Sequence, residues 1–168
     1  MYDSIRSVQL VAWNAIIFGI LLYVADLVGK RTKVMEDMQL SPALIIGFAQ
    51  ALALIPGTSR SGVTMTAARL LGFRRVEAAR FSFVLGIPAI AAAGSFTTIE
   101  LIQLDQPIPP DALWAAGLTF VAALFAIALL MAIVSRIGFF AFMVYRLLLA
   151  AVLFALLYGW IPGVSFAT

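Results

Sequence analysis

The 168-residue sequence contains no cysteine and no histidine. The first absence excludes disulfides, iron–sulfur clusters and thiolate zinc sites. The second excludes imidazole metal ligands and histidine general bases. Charge is scarce as well: 11% of residues are Asp, Glu, Lys or Arg, where a soluble domain carries about a quarter. So few charges cannot cover a globule that is 64% hydrophobic, which excludes a water-soluble fold and a disordered chain alike. Any chemistry must come from Ser, Thr, Arg, Asp, Glu or the backbone.

Long apolar runs are what the chain has instead. Residues 8–28, 78–98, 112–134 and 139–160 are each long enough to cross a bilayer, so the sequence describes an all-α integral membrane protein with four transmembrane helices. Lys30, Arg31 and Lys33 follow the first run, with no small-residue cleavage site between. That is a stop-transfer pattern and not a signal peptide. The net charge of +3 does not point to nucleic acid, because the basic residues sit at run ends and no basic cluster is interleaved with aromatics. The runs are apolar all round and do not reveal their packed faces. Ala89, Ala91, Ala92, Ala93 and Gly94 would let a neighbouring helix approach closely.

Residues 42–73 break the pattern. The apolar stretch 43–55 covers about 20 Å against a hydrocarbon core of about 30 Å. Pro56-Gly57 stops it, a polar run follows, and a second short stretch, 63–73, leads to Arg74 and Arg75. Two half-length helices around a polar bend predict a re-entrant hairpin, whose irregular tip must be buried in protein or line a wet cavity. Two helices lying on the membrane surface are the alternative; Gln50 as the single polar residue of 43–55 favours the hairpin. Charge agrees. A returning hairpin puts Lys30, Arg31, Lys33, Arg74, Arg75 and Arg136 on one side, and Glu100, Asp105 and Asp111 on the other. The positive-inside rule makes the first side cytoplasmic.

Pro56-Gly57-Thr58-Ser59-Arg60-Ser61-Gly62, with Thr64 beyond, is the polar concentration inside this frame. Gly57 and Gly62 permit a tight backbone path and close approach of a ligand. The loop opens into a helix N-terminus, where free amides and the helix dipole favour an anion. Hydroxyls add donors, and Arg60 brings a planar fork suited to phosphate oxygens. The competing reading is a plain helix start, with Ser59 or Ser61 as cap and Arg60 paired to a carboxylate. An arginine at membrane depth favours the functional reading. Gln50 can face the same cavity or bond to a neighbouring helix. Arg69 and Arg80, near helix ends, are expected to snorkel; Arg146 is expected to pair inward or snorkel; Asp26 is expected at the interface, and Glu77 in a surface ion pair with Arg75 or Arg80.

The string Gln50-Ala-Leu-Ala-Leu-Ile-Pro56-Gly-Thr-Ser-Arg-Ser-Gly62-Val-Thr64 closely resembles the second signature of bacterial undecaprenyl-diphosphate phosphatases of the bacitracin-resistance type. Ala79-Arg-Phe-Ser-Phe-Val-Leu-Gly-Ile-Pro-Ala-Ile90 and Tyr145-Arg146 are similar to that family too. The resemblance implies a multi-pass enzyme of the bacterial inner membrane, built from inverted repeats of which this chain is half. Its site faces the periplasm and hydrolyses undecaprenyl diphosphate to the monophosphate, recycling the carrier of peptidoglycan synthesis and conferring bacitracin resistance. Carried over by motif, Ser59 and Arg60 are the catalytic candidates, and Gln50, Gly57, Thr58, Ser61, Gly62 and Thr64 the substrate-binding ones. The implied partners are a lipid diphosphate and membrane lipids; a homodimer is left open.

One departure is large. The family's first signature, a pair of Glu followed by Ser-Ser-Thr-Gly-His, has no counterpart here. The resemblance therefore implies a C-terminal portion of such an enzyme, one that lacks the carboxylates for the divalent cation (Mg²⁺ or Ca²⁺) the family uses. No metal ligand is assigned, since Asp26, Glu36, Asp37 and Glu77 all map to helix ends or surface loops. Feeble phosphatase activity is expected of the chain alone. The rival readings are a polyprenyl-phosphate flippase, whose architecture also uses broken helices and anion sites, and a non-catalytic membrane subunit.

Overall fold

The computed structural model describes residues 2–104, 110–158 and 160. Among these residues there are six α-helices: α1 (Tyr2–Val28), α2 (Leu40–Ala49), α3 (Arg60–Leu70), α4 (Arg75–Gln103), α5 (Pro110–Ile137) and α6 (Phe140–Leu157). No named strand occurs among the described residues. Stretches of α1, α4, α5 and α6 are long and apolar enough to cross a membrane, and the protein is a multi-pass all-α membrane protein. The helices overrun several predicted spans. Glu100 ends up inside α4 and Asp111 inside α5, while Asp105 lies outside the described residues. The last span is shorter than predicted, because α6 stops at Leu157 and Trp160 follows it.

Between α1 and α4 lies a helical hairpin. α2 tightens into a 3-10 turn over Gln50–Leu54 before Ile55, whose extended backbone (φ −76°, ψ 125°) is what a following proline imposes. Gly57 turns the chain at φ +87° and lies so close to α1 that a Cβ would come within 2.5 Å of Val11 Cα. Both conditions call for glycine. At the other end the backbone closes: the Thr32 and Lys33 amides donate to the Gly72 carbonyl, and the Arg74 amide donates to the Lys33 carbonyl. The hairpin thus leaves α1 and rejoins α4 at one place.

In hydrocarbon, helices associate through close packing and internal hydrogen bonds. Small residues serve α1 and α6, where Ala12, Ala15 and Ala150 are buried together and a Cβ on Gly19 would sit 3.2 Å from Arg146 Cβ. Trp13 meets Phe154 and Tyr23 meets Phe140 along the same antiparallel seam. Leu22, Met65, Ala79, Val134 and Phe139 join α1, α3, α4 and α5 into one buried cluster. Ile46, Ala68, Phe73 and Ala78 fix the hairpin to the start of α4. The small-residue run of α4 does not serve as expected: Ala91, Ala92, Ala93 and Gly94 are exposed, and nothing lies within 4 Å of a Cβ on Gly94.

Candidate functional site

The bend from Pro56 to the first turn of α3 is held from three sides. Asn14 of α1 donates from Nδ2 to the Pro56 carbonyl at 2.7 Å. Arg146 of α6 donates from Nη2 to the Gly57 carbonyl at 2.6 Å and from Nε to the Ala15 carbonyl at 3.1 Å. Both side chains are buried. Arg146 therefore points inward, to backbone carbonyls. Within the bend, the Thr58 hydroxyl donates to the Leu52 and Ile55 carbonyls, and Ser59 caps α3, accepting from the Gly62 amide at 3.2 Å. Gly62 is buried inside the first turn of α3, where close approach is to Ser59.

α3 and α4 meet in register. The Thr64 and Ser82 hydroxyls are 2.6 Å apart, and one turn higher Arg60 Nη1 donates to the Gly86 carbonyl at 3.0 Å. Arg60 is thus bound to a backbone carbonyl and not to the carboxylate of the plain helix-start reading. Thr64 also donates to the carbonyls of Arg60 and Ser61, so its hydroxyl faces α4 and its own helix. Ser59 and Ser61 hydroxyls lie 3.2 Å apart. What the tip still offers is the Arg60 and Ser61 amides of an α-helical first turn, those two hydroxyls, and the N–H groups of Arg60 Nε and Nη2, which have no acceptor among the described residues. Every one is a donor or can be, so the tip suits an anion. Gln50, at the end of α2, keeps a buried Oε1 that meets no donor among the described residues.

The opposite end of α3 holds a second arginine in a different condition. Arg69 is fully buried and does not snorkel. Its Nε donates to Asp26 Oδ1 at 3.0 Å, and its remaining N–H groups reach the carbonyls of Asp26, Gly29, Lys30 and Phe73. All five guanidinium donors are engaged. Asp26, expected at the interface, is instead buried between Arg69 and Arg75, which grips it through Nε and Nη2. With Arg75 so held, Glu77 makes no ion pair among the described residues and its Oε2 is buried without a donor. Burial among five acceptors, which no spacing reveals, replaced the simpler surface pairings.

No group of three or more His, Cys, Asp or Glu comes together among the described residues. Hydroxyls, amides and a guanidinium are the donor set of an anion, whereas Mg²⁺ and Ca²⁺ require oxygen acceptors, carboxylates above all. The residues of the tip therefore do not fit a divalent cation. A cavity of about 570 Å³ opens beside Lys30, Thr32, Lys33 and Gly72, at the closed end of the hairpin. Asn14 escaped the sequence reading, and Ser82 entered it only within the string 79–90, with no role assigned, since neither belongs to the polar bend.

A sequence model of the family described as bacitracin resistance protein BacA matches residues 1–152. The chain belongs to that family. Undecaprenyl-diphosphatase of Erythrobacter litoralis is 49% identical over 155 residues, covering 92% of this chain and 54% of the relative. Undecaprenyl-diphosphatase of Chromohalobacter salexigens is 52% identical over 150 residues, covering 89% and 57%. That of Alteromonas mediterranea is 45% identical over 152 residues, covering 90% and 57%. The chain spans about half the length of the curated relatives it matches.

Proposed function

We propose that this chain supplies the diphosphate-binding half of an undecaprenyl-diphosphate phosphatase, a hydrolase that returns undecaprenyl diphosphate to the monophosphate for peptidoglycan synthesis and thereby confers bacitracin resistance. The observation that carries the reading is Arg60 at the capped start of α3, anchored by a single bond to the Gly86 carbonyl, beside free amides and hydroxyls. The names of the relatives supply the substrate class. Helical rise supports the depth. Arg60 is nine residues from Arg69, about 14 Å, and Gly86 eleven from Arg75, about 17 Å, half of a hydrocarbon core of about 30 Å. We therefore read residues 42–73 as a re-entrant hairpin within one transmembrane domain, 1–168, in a bacterial inner membrane, with the basic loops cytoplasmic and the tip open toward the periplasm.

In this role Arg60 and the α3 amides bind and orient phosphate oxygens, and Arg60 takes up charge that develops as the anhydride bond breaks. Ser59 and Ser61 line the pocket, with Gln50, Gly57, Thr58, Gly62 and Thr64 shaping it. Among the described residues no base lies beside Ser59, so it does not act alone as nucleophile. The reading gives the chain no share in holding a divalent cation. The test uses the purified 168-residue chain in detergent. Radiolabelled farnesyl diphosphate should bind, with only feeble phosphate release, and Arg60→Ala should weaken binding about 10- to 100-fold, the worth of charge-assisted hydrogen bonds. Unchanged binding by Arg60→Ala, or full metal-dependent turnover by this chain, would overturn the reading. Passage of a polyprenyl phosphate across liposomes without hydrolysis would replace it with a transporter.

A further inference from the structure

α4 carries two interior glycines in contrasting surroundings. A Cβ on Gly94 would meet nothing within 4 Å among the described residues. A Cβ on Gly86 would come within 2.5 Å of Arg60 Nη2 and 3.0 Å of its Cζ and Nη1. Gly86 is buried, Gly94 exposed. Glycine is a poorer helix former than alanine, so a buried glycine in the middle of a helix calls for a reason. The contacts supply one: the volume a methyl would occupy is filled by the guanidinium of Arg60.

We infer that Gly86 is a positioning residue of the anion site: its missing side chain forms the berth in which the Arg60 guanidinium lies against α4, with Nη1 on the Gly86 carbonyl and Nε and Nη2 left for a phosphate. The inference rests on the proposed role of Arg60. The α-carbon end of Arg60 is fixed by the Ser59-capped turn and by the Thr64–Ser82 hydroxyl contact four residues on. Its head is fixed at one atom, Nη1 at 3.0 Å from the Gly86 carbonyl. A preorganised guanidinium binds without the cost of ordering a long side chain at the moment of association. The three atoms nearest the added Cβ all belong to the far end of the Arg60 side chain, so Gly86→Ala evicts the head without disturbing the backbone.

Stability and binding therefore move in opposite directions, which a merely structural glycine would not produce. In detergent, Gly86→Ala should melt at the parental temperature or above, while binding radiolabelled farnesyl diphosphate about tenfold or more weakly. Gly94→Ala should bind as the parent does. In an Arg60→Ala background Gly86→Ala should change binding no further, because the pair acts as a unit. Parental binding by Gly86→Ala, beside a loss in Arg60→Ala, would overturn the berth and leave the site reading standing. Parental binding by Arg60→Ala would sink the site reading and the berth with it. Should Gly86→Ala fold poorly, the double variant with Arg60→Ala, in which the methyl has room, must fold; its failure to do so overturns the inference.

Discussion

Arg60 begins α3 and Arg69 lies in its last turn, yet their surroundings assign them different work. Arg69 has every donor engaged and an anionic partner buried beside it. It has nothing left to give a ligand. Arg60 retains donors at Nε and Nη2, and its one bond is to a carbonyl. The consequence for Asp26 is sharp. Asp26→Ala leaves two guanidinium groups, one of them fully buried, without their counter-charge, and removing one partner of a buried pair costs about 3–5 kcal/mol. Asp26→Asn, which keeps an acceptor oxygen toward Arg69, should cost less. Chemical denaturation of both variants in detergent checks the order, and equal losses would contradict the account.

At the scale of elements, the hairpin is held at its bend from outside. Asn14→Ala strips the Pro56 carbonyl of its donor, which should cost about 1 kcal/mol, the net worth of a typical hydrogen bond; thermal melting in detergent measures it. This contact also shows how far sequence could reach. Pro56, Gly57 and the polar run beyond them announce a turn because proline, glycine and hydroxyl side chains act on their own backbone; both short helices appear, the first tightening into a 3-10 turn from Gln50, and Ser59 caps the second, the one part of the competing helix-start reading that holds. Asn14, Ser82, Gly86 and the Asp26 triad act across separations of 18 to 49 residues. Helices apolar on every side carry no mark of which face meets a partner, so the partners of these groups stayed hidden while the group that forms the centre of the site did not.

For the molecule as a whole, most of α5 and the outer half of α4 present apolar side chains such as Phe96, Trp114, Phe120 and Phe125 outward, as a surface bathed in hydrocarbon would. The absence of native cysteine makes topology directly measurable. Single-cysteine variants at Lys33, Arg74 and Arg136 should react with an impermeant maleimide from one side of sealed vesicles, and Glu100→Cys from the other. Labelling of Lys33→Cys and Arg74→Cys from opposite sides would contradict the fold. The ladder contact between Lys33 and Phe73 has one more effect. On the re-entrant reading proposed above, everything between these two residues is a detour that leaves the count of crossings untouched. An insertion machine can thread α1 and α4 as successive spans and treat the loop as a folded plug, so shortening that plug should spare the orientation of every later helix while erasing the pocket.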